Sequence, residues 1–337
     1  MLRVFTAATV IVAFALAGAT VQAEPKQGGA MVVTYKDDIS TFDPAIGYDW
    51  QNWSMIKALF DGLMDYEPGT TELMPDLAES YTISPDGLTY NFKLRQGVKF
   101  HNGRELTSAD IKYSIERSVN PETQSPGQGF FWQIAGFDEM VSGDAKELSG
   151  ITTPDDYTVI IKLSQPDATF LQIVAINFAF AVPREEIEKY GLDFGRNPVG
   201  TGAYRMTEWT LGQRVVFERN PDYFREGVPF LDKITFEVGQ DPSVALLRLK
   251  RGEVDVLGDP IPSANFLQEK SDPANAGMIV EGGLLHTGYI TLNTTEAPFD
   301  NKLVRQAVNM AINKERVIKI VNGRATIANQ PLPPAMP

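Results

Sequence analysis

The sequence predicts an α/β fold of about two domains. Three observations lead there: strand-like and helix-like periods alternate along the chain, the chain has 337 residues, and 43% of them are hydrophobic, enough for more than one core. The hydrophobic strand "AMVVTY" ends in the polar loop "KDDISTFDPA". Asp49 then stands where it can cap a helix running to about Asp61, on which Trp53, Ile56 and Phe60 share one buried face before Gly62. "SYTISPDGLTYNFKL" is a hairpin around a Pro-Asp-Gly turn; on its return strand Tyr90, Phe92 and Leu94 take one face.

Thr107 and Asp110 form a capping-box pattern for the next helix, where Ile111, Ile115 and Val119 recur at spacings of four. "NPETQSPGQGFFWQ" is a loop whose tip carries Phe130, Phe131 and Trp132, and "YTVIIKL" is another alternating strand. "AYRMTEW" and "RVVFERN" make a hairpin through Leu211-Gly212, and "KITFEV" follows. Asp241 caps "PSVALLRLKRG", with Pro242 at the first helical position and Gly252 at the stop. "GYITLNT" reads as a further strand, and "PFDNKLVRQAVNMAINKERVIKIVNG" as a helix broken near Asn313.

The two ends of the chain carry separate signals. Arg3, the apolar run Val4 to Ala17 and the triplet Val21-Gln22-Ala23 read as a secretory leader cleaved after Ala23, which removes 23 of the 337 residues and leaves 314. The closing "NQPLPPAMP" reads as a loop in the middle of a protein, since proline cannot continue a helix, so a truncated frame is expected.

Composition excludes several functions. The net charge of −13 repels nucleic acid and anionic membrane. There is no cysteine, hence no disulfide framework, thiolate metal site or thiol redox chemistry. His101 and His286 are isolated, without a partner at metal-ligand spacing, and no Gly-x-Ser-x-Gly elbow is present. The Gly-x-Gly at Gly200, Thr201 and Gly202 precedes a strand rather than a helix, so it reads as a bend or hinge and not as a phosphate loop. Of the acidic pairs, only Asp37-Asp38 lies at a strand end; it supplies the one acid/base candidate for an alternative reading, a periplasmic hydrolase acting on peptides or glycosides. Trp53 and Trp209 read as structural, whereas Trp50, Phe130, Phe131 and Trp132 stand on loops or at a helix start, where aromatics line ligand clefts.

Taken in order, "STFDPA", "LFDGLMDY", "LMPDLAESYTISPDGLTYNFKLRQGVKFHNGRELTSADIKYSIER", "NPVGTGAYRMTEW", "VFERNPDYFREGVPFLDKITFEV", "LKRGEVD" and "LNTTEAPFDNKLVRQAVNMAINKERV" resemble the family 5 extracellular solute-binding proteins. Ala78 to Gly103 is the most diagnostic stretch. The resemblance implies a periplasmic-binding-protein fold of two α/β lobes with mixed sheets and an inserted small α+β domain. The first lobe would take residues 24–65 and 194–284, the insert 66–193, and an incomplete second lobe 285–337. A monomer without cofactor or metal is expected. Such a protein binds a small solute in the periplasm, with peptide first among the candidates, closes on it, and presents it to an ABC permease with its ATPase subunits. The ligand-binding residues it points to are Tyr35, Asp37, Asp38, Ile39, Ser40 and Phe42 on the strand-end loop, Phe131 and Trp132 from the insert, and Asn293 and Thr294 from a crossing strand.

Overall fold

Two sets of apolar positions, one within residues 63–181 and the other drawn mainly from the segments on either side of it, condense into two cores. The computed structural model describes residues 26–282 and 286–333; the expected leader, Met1 to Ala23, lies outside them. The chain opens with β1 (Ala30–Thr34) and α1 (Trp50–Leu59), followed by β2 (Met64–Tyr66), β3 (Leu73–Pro75), β4 (Ala78–Ile83) and β5 (Thr89–Leu94). Next come α2 (Ser108–Val119), α3 (Phe137–Ser142), β6 (Ile151–Asp155), β7 (Thr158–Lys162), α4 (Phe170–Ile173) and α5 (Arg184–Tyr190). It then runs through β8 (Tyr204–Thr210), β9 (Arg214–Arg219), β10 (Lys233–Glu237), α6 (Pro242–Lys250), β11 (Val256–Leu257), α7 (Ser263–Ser271), α8 (Lys302–Ala311) and α9 (Lys314–Ile320).

The first sheet has the order β11-β1-β10-β9-β8. β1 runs parallel to both neighbours, with Ala30 opposite Lys233 and Thr34 opposite Glu237, while β9 runs antiparallel to β10 on one side and to β8 on the other. Val33, Phe217 and Phe236 from this sheet meet Met55, Ile56 and Leu59 of α1 in one core. The second sheet, β4-β5-β7-β6, is wholly antiparallel, and its alternating face packs Phe92, Val159 and Ile161 against Ile111 and Ile115 of α2. The predicted capping box holds: the Thr107 amide donates to Asp110 Oδ2 at 2.8 Å.

Four sequence expectations change. Trp53 is 38% exposed, because its indole Nε1 donates to the Gly47 carbonyl at 3.2 Å and its ring rests on Tyr48; the buried face of α1 is Met55, Ile56 and Leu59. Asp49 stands at the N-cap, yet its carboxylate accepts from the Asn52 side chain at 3.2 Å rather than from a backbone amide. α1 stops at Leu59, two residues early, since the Leu59 carbonyl accepts from Gly202 N at 3.0 Å and Phe60 is extended. "GYITLNT" forms no strand among the described residues: nothing there runs beside it to share a ladder, and Tyr289 and Ile290 are exposed. The break near Asn313 is real, and the Asn313 side chain caps α9 by accepting from Arg316 N at 2.8 Å.

The two cores meet where the end of α1 presses on Gly200–Gly202. A Cβ on Gly202 would lie 2.3 Å from the Leu59 carbonyl carbon, and one on Gly200 would lie 2.1 Å from the Leu59 oxygen, so close approach demands glycine here. Neither residue takes a positive φ. His101 locks the turn. Its Nδ1 accepts from Gly200 N at 3.2 Å, which leaves Nε2 to carry the proton and donate to the Gly202 carbonyl at 3.1 Å. Burial pushes its pKa down to about 4, so the ring is neutral at physiological pH.

Beside it lies a buried cluster of two carboxylates and one guanidinium. Thr201 Oγ1 donates to Asp61 Oδ2 at 2.6 Å, Tyr223 OH donates to Asp61 Oδ1 at 3.3 Å, and Arg225 Nη2 donates to Asp76 Oδ1 at 2.5 Å. Burial raises the pKa of both acids, Asp76 to about 6 and Asp61 well above the usual carboxylate range, and at Asp61 the neighbouring Asp76 charge adds to the effect of burial.

Two predictions follow from this junction. Gly202→Ala forces its methyl into the end of α1 and should cost about 2 kcal/mol or more in urea unfolding; a loss below about 0.5 kcal/mol would contradict the contact argument. Asp61 binds its proton more tightly folded than unfolded, so its contribution to stability is full below the unfolded pKa and is lost as pH rises. The free-energy difference between Asp61→Asn and the parent should therefore move in favour of the variant as pH is raised from 4. His101, with the opposite sign, acts on both proteins alike and cancels in that difference. A difference independent of pH would refute the assignment.

Candidate ligand-binding site

The loop that follows β1 has no ladder of its own, so its backbone must be held by side chains from elsewhere. Arg117 of α2 reaches Asp43 with two bonds of 2.8 and 2.5 Å, and both side chains are largely buried. Asn177 donates to the carbonyls of Pro44 and Gly47 at 2.7 and 2.9 Å, and Ser125 donates to Ala45 O at 2.6 Å. From the other side, Gly212 N in the β8–β9 turn donates to Asp38 Oδ2 at 2.8 Å, while Asp38 Oδ1 accepts from Ile39 N at 2.8 Å. The loop is fixed from both cores.

The strand-end residues divide by burial. Ile39 and Phe42 are core side chains, with Phe42 against Trp209 at 4.8 Å, so they shape the loop from beneath rather than face a ligand. Tyr35 is also buried, and its hydroxyl lies 3.2 Å from Ser54 Oγ. Asp37, Asp38 and Ser40 are exposed. Ser40 Oγ accepts from Asn52 Nδ2 at 2.7 Å and donates toward Asp49 at 3.4 Å. Asn52 is 1% exposed, and its Oδ1 has no hydrogen-bond partner among the described residues. The loop thus offers acceptors, Asp37, Asp49 and Ser40, above a buried acceptor with no internal donor.

Exposed aromatics follow in two groups that no ring contact joins among the described residues, and the second group forms a face. Trp50, 52% exposed, meets the edge of Tyr35 at 6.0 Å, and Tyr48, 51% exposed, lies 5.5 Å from Trp53 and 6.5 Å from Phe130. Phe130 stacks in turn on the buried Phe178 at 5.8 Å. The segment between β1 and β8 that builds the second core therefore contributes Phe130 to this face. Phe131, expected to line the site, is 0% exposed in the second core, because consecutive residues of the tight turn at Gln128–Phe131 point in different directions. Trp132 is exposed, but no aromatic contact joins it to the face among the described residues. Asn293 and Thr294 are exposed in a turn where Asn293 Oδ1 accepts from Thr295 N at 3.1 Å; no hydrogen bond ties them to the loop among the described residues. Sequence reasoning missed Tyr48 and set Trp53 in the core. The signal available was "YDWQNW", three aromatics around a helix start that carries two polar buried residues, Gln51 and Asn52.

Comparison with known proteins places this mixed α/β scaffold among proteins of the two-lobed periplasmic-binding fold. Residues 72–337 match the profile described as bacterial extracellular solute-binding proteins, family 5. The chain belongs to that family. It is 34% identical over 305 residues to the glutathione-binding protein GsiB of Pectobacterium atrosepticum, and 32% identical over 309 residues to GsiB of Salmonella typhi. These alignments take in 90% and 91% of this chain but 55% and 56% of the relatives, so the chain spans just over half their length. Among solved structures it resembles the periplasmic binding protein DppA of Helicobacter pylori in complex with the peptide STSA (TM-score 0.79, 29% identity, 92% of this chain, 62% of that one). It also resembles the murein tripeptide binding protein MppA of Escherichia coli (TM-score 0.80, 28% identity, 89% and 58%).

Asp38→Ala removes both anchors of the loop tip without touching a core. It should cost about 1 kcal/mol in stability and speed hydrogen exchange at the Gly212 amide. Unchanged exchange at Gly212 would show that the tip is held by other means.

Proposed function

We propose that the protein bearing this chain is the exported substrate-binding component of an ABC importer. It captures peptides or a similar small solute in the periplasm and delivers it to a membrane permease with its ATPase. The observation that carries this reading is an exposed strand-end loop with acceptors at Asp37, Ser40 and Asp49, accompanied by exposed aromatics in two groups, Trp50 on Tyr35 and Tyr48 with Trp53 and Phe130. Carboxylates and a hydroxyl accept from an ammonium or amide N–H, and flat rings take the apolar part of the same ligand. Membership of family 5 and relatives described as glutathione-, peptide- and murein-tripeptide-binding point the same way. Export fits the leader at Met1–Ala23, and no helix of the described residues is long and apolar enough to cross a membrane.

Binding rather than bond cleavage suits the chemistry at the loop. A hydrolytic pair of carboxylates must both face the scissile bond. Here both oxygens of Asp38 are taken by the amides of Ile39 and Gly212, which leaves Asp37 without a second free acid beside it in sequence. Affinity then comes from closure: a ligand that touches both sides of a cleft stabilises the closed state by its differential contacts.

Calorimetric titration of the purified protein with trialanine and with glutathione, followed by mass spectrometry of the solute, tests the reading. Saturable binding with the solute recovered intact is expected, weakened about tenfold by Trp50→Ala, which corresponds to about 1.4 kcal/mol. Recovery of cleaved solute, or affinity untouched by changes at Trp50 and Asp37 together, would overturn it.

A further inference from the structure

Away from the strand-end loop, a groove of about 400 Å³ runs along the outer side of β8, between that strand and the segment leading from α5 into Pro198 and Val199. We propose that it is a second binding site, for a small carboxylate with an apolar body. The volume falls within the range of ligand sites. Among the described residues β8 is the last strand of the sheet, so the strand at the floor of the groove pairs there with β9 on one side only.

The charges in the groove decide the ligand class. Its lining residues include one cation, Arg196, and one acid, Glu208. Glu208 is occupied: Arg214 donates to its two oxygens at 2.8 and 3.2 Å, and Thr210 donates at 3.0 Å. Arg196 is exposed and makes no ion pair or side-chain hydrogen bond among the described residues, and its guanidinium lies 4.4 Å from the Trp209 ring centre. Asp193, one turn earlier, forms no ion pair with it, and Lys189, which precedes the lining residue Tyr190, is tied to Glu186 at 3.0 Å. The uncompensated charge is therefore positive, in a chain whose net charge is −13.

A guanidinium seated over an indole is restrained in position, so it loses less freedom when two of its N–H groups meet an acceptor pair. A planar carboxylate matches that fork with two parallel bonds, whereas a tetrahedral anion gains nothing from the neighbouring Tyr190, Met206 and Val199, which can take an apolar body. Trp209 Nε1 is a buried donor with no acceptor among the described residues, an unpaired group of the sort that marks incomplete local bonding. Trp209 also touches Phe42 at 4.8 Å, and the hairpin that begins with β8 donates Gly212 N to Asp38, so an occupant would sit one side chain from the strand-end loop.

The indole ¹⁵N–¹H cross-peaks of the four tryptophans provide the test, with Trp209 assigned through Trp209→Phe. Sodium benzoate and inorganic phosphate are titrated at constant ionic strength. Benzoate is expected to move the Trp209 cross-peak saturably and to leave the other three in place. Arg196→Gln should weaken this at least tenfold, and Arg196→Lys, which keeps the charge but lacks the fork, should weaken it too. Retention of the other three cross-peaks in each variant reports an intact fold. The proposal is overturned by a Trp209 cross-peak that does not respond, by a response that survives Arg196→Gln, or by phosphate acting as strongly as benzoate, which would mark an adventitious anion contact only.

Discussion

The ion pair between Arg117 and Asp43 is the constraint on which the candidate site rests. It crosses from α2, in the second core, to a loop that belongs with the first sheet, and it does so with both groups largely removed from water. Two charges are costly to bury, so such a pair is favourable only with good geometry and further bonds around it. Both conditions hold: the guanidinium meets the carboxylate with two nitrogens, and Asp43 Oδ1 also accepts from Ala45 N at 3.0 Å. With Asn177 and Ser125 the pair replaces the ladder that the loop lacks. The small domain between the halves of the first sheet is thereby a mould for the loop, and Phe130 gives it a share of the aromatic surface as well.

Polar staples of this kind let two cores stay separate while remaining in register. The junction at Asp61, Asp76 and Arg225 works by the same logic: buried donors and acceptors tolerate few arrangements, whereas apolar contacts tolerate many. Glycine at 200 and 202 supplies the matching steric requirement, since α1 can end against that segment only where no Cβ intervenes.

What could be read from the sequence was whatever depended on local pattern. The alternation of Tyr90, Phe92 and Leu94 gave β5, Thr107 and Asp110 gave the start of α2, and the break at Asn313 gave two helices instead of one. Asp37, Asp38 and Ser40 were legible as an exposed strand-end group because strand and loop composition change abruptly there. The failures share a cause, which is that the deciding partner is distant in sequence. Trp53 left the core through a bond to Gly47 and contact with Tyr48, and Phe131 entered it because the turn directs Phe130 outward instead. "GYITLNT" has strand composition, but a strand is defined by its neighbour. His101 looked like an ordinary turn residue, and only the chain segment a hundred positions later reveals both of its bonds.

The parallel pairing of β1 with β10 carries a consequence for biogenesis. Ala30 finds its ladder partner at Lys233, roughly two hundred residues later, whereas β4, β5, α2, β6 and β7 lie within one continuous stretch. Contacts this remote in sequence make assembly slow, and unpaired strand edges invite wrong pairings in the meantime. The central layer can acquire its structure first and serve as a template, while the earliest strand to be synthesised is among the last to be secured. The leading strand therefore stays uncommitted until the segment around Lys233 is available to pair with it.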